Sequence, residues 1–292
     1  MKHFEGLNTN VLQDEPLAMY TWFQLGGAAQ YFAEPEDLDE LIALIRRCRD
    51  AGIPFRILGR GSNLLIRDEG VAGVVIRLSA DAFRGIEIDG NRVTAGGGAR
   101  LGRVVTASVH AGLAGLEELV GIPGTLGGAI HGNAGIQGST IGQWITTLVT
   151  LSDSGEVAER GADELTFDYR QSGLDDLIIT QAVLGLEEDD PKLLSKRMQT
   201  HWIVRKSRQP LGAPSAGCVF RNPRGLSAGE LIEQSGLKNA RIGGACVNER
   251  HANFIIAEPE ATSQDVIRLI DFVRDQVVKR TGVELELEIE IW

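Results

Sequence analysis

Residues 121–138 read GIPGTLGGAIHGNAGIQG and contain seven glycines but no Asp, Glu, Lys or Arg. Glycine lacks a Cβ, so such a run offers exposed backbone N–H groups and adopts positive φ at little cost. Backbone N–H groups in successive turns form concave anion sites, which proteins often use to bind phosphates. A flexible linker is the alternative, but linkers are polar, whereas Leu126, Ile130 and Ile136 make this run apolar. We therefore expect the segment to pack against the protein and to bind a ligand.

Length and composition are those of a globular protein, with 292 residues of which 43% are hydrophobic and 24% charged. The length predicts two or more lobes. The three cysteines, Cys48, Cys218 and Cys246, are odd in number and widely spaced, which predicts neither a disulfide framework nor a metal site. Residues 1–20 show no signal-peptide pattern, and no apolar run reaches membrane-spanning length. We expect a cytoplasmic protein with no membrane partner.

The charge is distributed unevenly along the chain. The formal net charge of −11 argues against nucleic acid as a partner. Residues 191–229 nevertheless contain eight Lys and Arg and no acidic residue. Part of this charge belongs to a solvated helix face, but residues 205–208 and 221–224 flank a turn-rich segment. This arrangement predicts a pocket for a small phosphorylated substrate.

Periodicity predicts alternating helices and short strands. Apolar residues at helical spacing predict helices near 38–51, 101–111, 192–207, 227–234 and 262–280. Short apolar runs predict strands near 55–58, 74–78, 85–88, 92–95, 147–151 and 177–184. Residues 283–291 alternate strictly, which predicts a strand with four glutamates on one face. The charged stretch 187–191 is the best candidate for a domain boundary.

Two common nucleotide-binding motifs are missing from the sequence. Residues 59–63, GRGSN, lack the third glycine of a G-x-G-x-x-G fingerprint, and no Gly-Lys-Ser/Thr occurs. Two distant glycine loops still indicate one extended cofactor that contacts two lobes. The sequence therefore leaves open the binding of a dinucleotide by a fold other than the Rossmann fold.

Six blocks run nearly from end to end of the chain: 21–27 TWFQLGG, 59–65 GRGSNLL, 121–138, 169–172 YRQS, 214–223 PSAGCVFRNP and 251–254 HANF. In this order they resemble the MurB family of UDP-N-acetylenolpyruvoylglucosamine reductases. The chain is too short between Arg170 and Arg208 for the Tyr-bearing loop of the larger subclass, so it resembles the shorter one.

The resemblance implies an α+β fold: a two-lobed FAD-binding domain that is not a Rossmann fold and is like that of vanillyl-alcohol oxidase, plus a C-terminal α+β substrate domain. We assign residues 1–78 to lobe 1, which the strand near 283–292 can complete. Residues 79–190 are assigned to lobe 2 and 191–292 to the substrate domain. A monomer is one further expectation.

The resemblance also implies the reaction. NADPH reduces FAD, and the flavin N5 hydride passes to the enolpyruvyl group of a UDP-sugar, giving UDP-N-acetylmuramate for peptidoglycan synthesis. The enolate that forms beside the carboxylate needs charge stabilisation and then a proton. By position, Arg170 and Glu288 are implied to stabilise this charge, and Cys218 to donate the proton. Arg208 and Asn222 are implied to contact the substrate.

The cofactor-binding residues implied by the resemblance all lie in the two glycine loops. They are Gly59, Arg60, Gly61, Ser62, Asn63 and Leu64 in the first loop, and Gly121, Ile122, Pro123, Gly124, Thr125, Gly127, Gly128, Ala129, Asn133 and Gly135 in the second.

Three of these assignments have simpler structural interpretations. Cys218 stands where many family members carry Ser. A thiol with a reference pKa of about 8.5 can still act as an acid near neutrality. The simpler interpretation is that a lone Cys is a small apolar residue. Glu288 is one of four glutamates on an edge strand, so only the resemblance selects it. Arg170 could be an ordinary surface charge. For His131 and His251 we favour a structural role over metal binding.

Two other functions are compatible with a flavin fold. A related FAD oxidase acting on a sugar or alcohol would use O₂ as its acceptor. A non-catalytic binding module would keep the fold and lose site residues. The 214–223 block and Arg170 favour the reductase over both.

Overall fold

The computed structural model describes residues 2–136, 138–174 and 177–292. In these ranges the α-helices are α1 (Leu38–Asp50), α2 (Leu101–His110), α3 (Leu126–His131), α4 (Pro191–Arg208), α5 (Ala228–Gln234) and α6 (Ser263–Thr281). Short 3₁₀-helices lie at Lys2–Phe4, Ala18–Tyr20, Asp81–Phe83, Glu117–Leu119, Ile141–Trp144 and Ala162–Glu164.

The strands are short. They are β1 (Val11–Pro16), β2 (Ala28–Ala33), β3 (Phe55–Ile57), β4 (Leu64–Leu65), β5 (Val71–Ile76), β6 (Ile86–Asp89), β7 (Arg92–Gly96), β8 (Leu113–Ala114), β9 (Gly135–Ile136), β10 (Ser139–Thr140), β11 (Ile145–Ser152), β12 (Val157–Gly161), β13 (Leu177–Gly185), β14 (Glu187–Glu188), β15 (Arg241–Ile242), β16 (Ala245–Val247), β17 (Ile255–Ala257) and β18 (Glu290–Ile291). The predicted helices and internal strands are thus confirmed to within a few residues.

The chain folds into two compact units, each assembled from separate stretches of sequence. Unit 1 comprises Met1–Gln13, Tyr31–Gly59 and Gly73–Arg205, and unit 2 comprises Asp14–Gln30, Arg60–Ala72 and Lys206–Trp292. The predicted division into two lobes and a substrate domain, with boundaries at residues 78 and 190, stays a prediction.

Unit 1 contains a five-stranded antiparallel sheet of order β12-β11-β13-β7-β6. Helices α2 and α3 contribute Val104, Leu126 and Ile130 to its core, where they are fully buried together with Leu148 of β11 and Ala182 of β13. A buried apolar side chain of this size stabilises the fold by about 1.5–3 kcal/mol. This core fixes α3, and therefore the glycine-rich segment 121–138, against the sheet.

Helix α1 of unit 1 is defined by a side-chain cap and by apolar residues at helical spacing. The Asp37 side chain accepts a hydrogen bond from the Glu40 N–H at 2.9 Å, which caps the first turn. Its buried positions, which include Leu41, Leu44 and Cys48, belong to the same core cluster as residues of β5. Strand β5 in turn pairs in parallel with β3. Because caps and apolar spacing are local signals, the sequence alone located this helix.

Unit 2 is built around α5, α6 and a small antiparallel sheet of order β15-β16-β17. Helix α6 begins with a capping box, in which the Thr262 side chain accepts from the Asp265 N–H and the Asp265 carboxylate accepts from the Thr262 N–H. Strand β18 pairs in parallel with β4.

The strand predicted over residues 283–291 is largely wrong. Only Glu290–Ile291 forms a strand, and Leu287 forms an isolated bridge with Phe220. The alternating sequence is reflected in the burial of the side chains, since Leu285 and Ile289 are buried. The backbone hydrogen bonds of this stretch go to two different partner segments, however: residues 286–288 pair with 219–221, and β18 pairs with β4.

No helix within the described ranges combines the length and apolar character needed to cross a bilayer. No cluster of three or more His, Cys, Asp or Glu side chains in the same ranges is arranged to hold a metal ion.

Candidate cofactor and substrate site

Much of the hydrogen-bonding capacity of the glycine-rich segment is used inside unit 1. The N–H groups of Leu126 and Gly127 donate to the carbonyls of Ala99 and Gly97, both at 2.8 Å. The Gly128 N–H donates to Thr125 Oγ1 at 3.2 Å, which caps α3. The expectation that this run exposes its N–H groups is therefore wrong for these three donors, because they fix the start of α3 instead.

The first glycine loop begins next to this cap. A Cβ on Gly59 would lie 2.9 Å from Thr125 Oγ1, so a side chain at this position would crowd the hydroxyl that caps α3. Gly59 and Thr125 come from the two loops that the sequence assigned to one cofactor. Unit 1 therefore brings part of both loops together.

Asn133 anchors the end of the glycine-rich segment. Its side chain is only 3% exposed, its Oδ1 accepts from the Gly142 N–H at 3.1 Å, and its Nδ2 donates to the Asp168 carbonyl at 2.8 Å. Beside it, Arg170 Nη2 donates to the Gly135 carbonyl at 2.9 Å. Arg170 is thus in contact with the segment predicted to bind the cofactor.

Arg170 lies at a strained position in a tight turn. Its φ is +58°, a left-handed conformation that costs a non-glycine residue on the order of 1 kcal/mol or more. The turn is closed by reciprocal backbone hydrogen bonds between Asp168 and Gln171, at 3.0 and 3.2 Å. The guanidinium carbon lies 5.1 Å from the centre of the Tyr169 ring. Strain held in this way is typical of functional positions.

In unit 2, the first glycine loop requires glycine at Gly61. Its φ is +58°, and a Cβ there would lie 2.4 Å from the Tyr20 carbonyl oxygen. The Gly61 carbonyl accepts from the Trp22 N–H at 3.0 Å. Two residues later, Asn63 Nδ2 donates to the Glu288 carbonyl at 3.0 Å. The loop is therefore hydrogen-bonded to the segment that carries Glu288.

Cys218 and Glu288 lie on adjacent chain segments of unit 2. The Glu288 N–H donates to the Val219 carbonyl at 2.8 Å, directly after Cys218, and Cys218 itself is bridged to Phe254. Both Cys218 and Glu288 are half-buried. Unit 2 therefore brings together the two residues that were predicted to donate the proton and to stabilise charge.

The two predicted substrate contacts are exposed, one in a turn and one at a helix end. Asn222 Oδ1 accepts from the Ala228 N–H at 3.0 Å and so fixes the turn before α5, while Arg208 is the last residue of α4. Both residues are exposed. Their contact with substrate stays a prediction.

The remaining predicted cofactor residues occupy varied environments. Ala129 is buried in α3 and Leu64 is buried in β4. The half-buried positions are Arg60, Ser62, Gly121, Ile122, Pro123 and Gly124.

One functional candidate had no role assigned from the sequence. Asn253 is 2% exposed, and its side-chain amide is hydrogen-bonded to both backbone groups of Phe220. The available signal was a polar residue inside the apolar block HANFIIA. Its neighbour His251 accepts from the Asn253 N–H at 3.3 Å through Nδ1, and burial lowers the pKa of the His251 imidazole. These contacts support a structural role for His251.

Within the described residues, each unit contains two buried side-chain polar atoms without a hydrogen-bond partner: Trp144 Nε1 and Ser172 Oγ in unit 1, and Arg221 Nε and Ser235 Oγ in unit 2. Two of the four lie close in sequence to predicted site residues. Ser172 Oγ, two residues after Arg170, is buried without a hydrogen-bond partner, and so is Nε of Arg221. An unsatisfied buried donor costs about 1–3 kcal/mol, so such atoms call for a ligand or water. The hydroxyl suits a polar ring edge such as that of a flavin, and the guanidinium suits an anionic substrate.

Two protein-family models match the chain. Residues 29–160 match the model of an FAD binding domain. Residues 209–292 match the model described as UDP-N-acetylenolpyruvoylglucosamine reductase, C-terminal domain. The glycine-rich segment lies in the first match, and Cys218, Asn222 and Glu288 lie in the second.

Curated relatives match over almost the whole chain. The UDP-N-acetylenolpyruvoylglucosamine reductase of Heliobacterium modesticaldum is 43% identical over 283 residues, which are 96% of this chain and 90% of the relative. The enzyme of the same name from Moorella thermoacetica is 41% identical over 288 residues, 98% of this chain and 95% of the relative.

Solved structures give the same result. MurB from Thermus caldophilus superimposes with a TM-score of 0.83 at 36% identity, covering 98% of this chain and 99% of that one. The 6-hydroxy-D-nicotine oxidase of Arthrobacter nicotinovorans, at 18% identity, has a TM-score of 0.50 over 92% of this chain and 59% of its own, which shows the fold alone. Together with the family matches, these likenesses confirm the predicted fold class.

Proposed function

Because the chain belongs to the UDP-N-acetylenolpyruvoylglucosamine reductase family, we propose that it reduces UDP-N-acetylglucosamine enolpyruvate to UDP-N-acetylmuramate with electrons from NADPH. Family membership itself makes it an FAD-dependent oxidoreductase of peptidoglycan precursor synthesis. When bound, FAD supplies hydride-transfer chemistry between the nicotinamide and the enol ether. The overall balance is one NADPH and one proton consumed for each C=C bond reduced.

We assign cofactor binding to the two glycine loops. In unit 1, Gly59 and Thr125 approach closely, and Asn133 and Gly135 are linked to the turn that carries Arg170. Rigid backbone of this kind positions a cofactor with little loss of entropy on binding. The buried, unpartnered Ser172 hydroxyl supports a polar ligand beside this turn.

The protein's own chemistry is charge stabilisation and proton transfer. After hydride addition to the terminal carbon, negative charge develops next to the substrate carboxylate. We assign its stabilisation to the Arg170 guanidinium and to Glu288, which can contribute only in its protonated form. The Cys218 S–H donates the proton that completes the new C–H bond, and the thiolate is reprotonated from water.

The observation that carries this proposal is the pairing of the two segments in unit 2. The 2.8 Å hydrogen bond from the Glu288 N–H to the Val219 carbonyl fixes the backbone of one proposed catalytic residue beside that of the other. Each segment also has a second partner, since the Glu288 carbonyl accepts from Asn63 Nδ2 and residues 218–219 pair with 253–254.

The test is an anaerobic two-step experiment on the FAD-loaded protein. NADPH should bleach the flavin absorbance, and UDP-N-acetylglucosamine enolpyruvate should restore it with formation of UDP-N-acetylmuramate. Bleaching without recovery on addition of the sugar nucleotide contradicts the proposal. Recovery with O₂ but not with the sugar nucleotide indicates the oxidase alternative.

Cys218→Ala tests the proton donor. We expect this variant to be bleached by NADPH at the wild-type rate and to stall when the sugar nucleotide is added, since removal of a general acid costs about 10²–10⁴-fold in rate. Cys246→Ala, which alters a buried thiol of the same unit, is the matched control and should behave as wild type. Normal turnover by Cys218→Ala removes Cys218 from the mechanism.

Three finer assignments accompany this function. We propose NADPH as the reductant, a cytoplasmic location and a monomer. Comparing bleaching rates with NADPH and NADH tests the first assignment, cell fractionation the second, and light scattering of the purified protein the third.

A further inference from the structure

Asn253 forms a two-against-one contact with the segment that carries Cys218. The N–H groups of Val219 and Phe220 both donate to Asn253, the first to its backbone oxygen at 2.8 Å and the second to Oδ1 at 2.9 Å. Asn253 Nδ2 returns a hydrogen bond to the Phe220 carbonyl at 2.8 Å. This arrangement is like a β-bulge, in which two consecutive residues face one partner residue, except that the Asn253 side-chain amide provides the second contact; we call it the bulge below.

The opposite edge of this segment is regular. There the Arg221 N–H donates to the Glu286 carbonyl and the Glu288 N–H donates to the Val219 carbonyl, both at 2.8 Å. In an ordinary strand, the N–H and C=O of one residue point to the same side. At Val219 they point to opposite sides, toward Asn253 and toward Glu288. The direction of the chain therefore changes at Val219, immediately after Cys218.

A primary amide can form hydrogen bonds with both backbone groups of Phe220. The backbone groups of Phe220 need one acceptor and one donor at the same place, and both bonds are buried. The Asn253 side chain supplies the carbonyl and the N–H that a peptide group of a neighbouring strand would supply. A carboxylate in its place would lack the donor, and a methyl group would lack both.

We propose that Asn253 is a positioning residue for the Cys218 thiol: its amide holds the bulge at Val219 and Phe220 and thereby directs Cys218. Bulges beside active sites serve to redirect a side chain, and misplacement by about 1 Å can cost on the order of 10²-fold in rate. This inference rests on the proposed function, in which Cys218 donates the proton.

The first experiment separates the two half-reactions in Asn253→Asp. We expect the NADPH bleaching rate to stay within about twofold of wild type and the recovery with UDP-N-acetylglucosamine enolpyruvate to slow about 10²-fold. Asp265→Asn is the matched control, because it alters structural hydrogen bonds of the same unit and because the hydrogen-bond partners of the Asp265 carboxylate are Gly244, Thr262 and Arg268. It should slow neither half-reaction.

A second readout does not depend on activity. Alkylation of Cys218 by iodoacetamide, followed by peptide mass spectrometry, should accelerate several-fold in Asn253→Asp, because loosening of the bulge exposes the thiol. The double variant Cys218→Ala/Asn253→Asp should recover no more slowly than Cys218→Ala, because both changes remove the same proton transfer. If Asn253→Asp does not bind FAD, Asn253→Gln, which keeps both amide groups on a longer arm, replaces it with the same expectations.

The outcomes distinguish the two levels of the proposal. If Cys218→Ala recovers at the wild-type rate, the assigned proton donor is wrong. If Cys218→Ala is slow but the Asn253 variant recovers normally, only the positioning role is wrong. Equal slowing of bleaching and recovery in the Asn253 variant also overturns it, because that pattern is a general structural defect.

Discussion

Replacing Gly61 by alanine tests both the structure of the first glycine loop and its assigned role. Alanine at φ +58° costs about 1 kcal/mol for the left-handed backbone. Its Cβ would also lie 2.4 Å from the Tyr20 carbonyl oxygen and 2.7 Å from Thr21 Cα, so backbone must move, which adds about 1–3 kcal/mol. The matched control is Gly282→Ala in the same unit, where φ is +73° and no atom lies within 4 Å of the new methyl group.

The assay compares melting temperatures of the two variants with and without FAD. At about 2–4 °C per kcal/mol, Gly282→Ala should lower the melting temperature by about 2–4 °C and Gly61→Ala by about 4–16 °C. Gly61→Ala should also weaken FAD binding at least about tenfold, equivalent to 1.4 kcal/mol or more. Equal losses in both variants refute the steric argument. A large loss of stability with unchanged FAD affinity refutes instead the assignment of this loop to the cofactor.

Two predictions concern titrating groups. Backbone N–H donors, of which the Gly244 N–H has the largest effect, lower the pKa of the Asp265 carboxyl in the folded protein. The ionised carboxylate therefore stabilises the fold fully above the unfolded pKa of about 3.9, and this stabilisation is lost as the pH falls through the lower folded pKa. Urea melts should show Asp265→Asn to be about 1–2 kcal/mol less stable at pH 7, with a gap that closes below pH ~4; a constant gap contradicts this. Burial raises the pKa of the Cys48 thiol to about 11, so at pH 8 iodoacetamide should alkylate half-buried Cys218 long before Cys48, as judged by peptide mass mapping. Faster reaction of Cys48 would show that its site opens.

The elements that the sequence located are those with local signals. Helix α6 was predicted at 262–280 and lies at Ser263–Thr281, because a Thr cap, an apolar stripe and a terminal glycine are all contained within it. Residues 283–291 carried an equally clear period of two, yet only Glu290–Ile291 forms a strand. Partners far away in sequence decide how far a strand extends, and periodicity contains no information about them.

The same distinction applies to the site. The glycines were found because they are conspicuous in the sequence, but their neighbours determine which N–H groups remain available, and Ala99 and Gly97 accept two of them. The role of Asn253 depends on Phe220, which lies 33 residues earlier. No local pattern joins these two residues, so their pairing could be observed only in the folded chain.

The hydrogen bond between Asn63 and Glu288 has a consequence for the order of folding. It joins residues 225 positions apart, and β18 then pairs with β4 beside it. During synthesis, unit 2 therefore cannot complete its hydrogen bonding until the ribosome has added residue 290. The last residue of unit 1 is Arg205, so the five-stranded sheet of this unit can form before β18, the partner of β4 in residues 60–72, has been synthesised. Because contacts of such long range form slowly, we expect the segment with Cys218 and Glu288 to be among the last parts of the protein to become ordered.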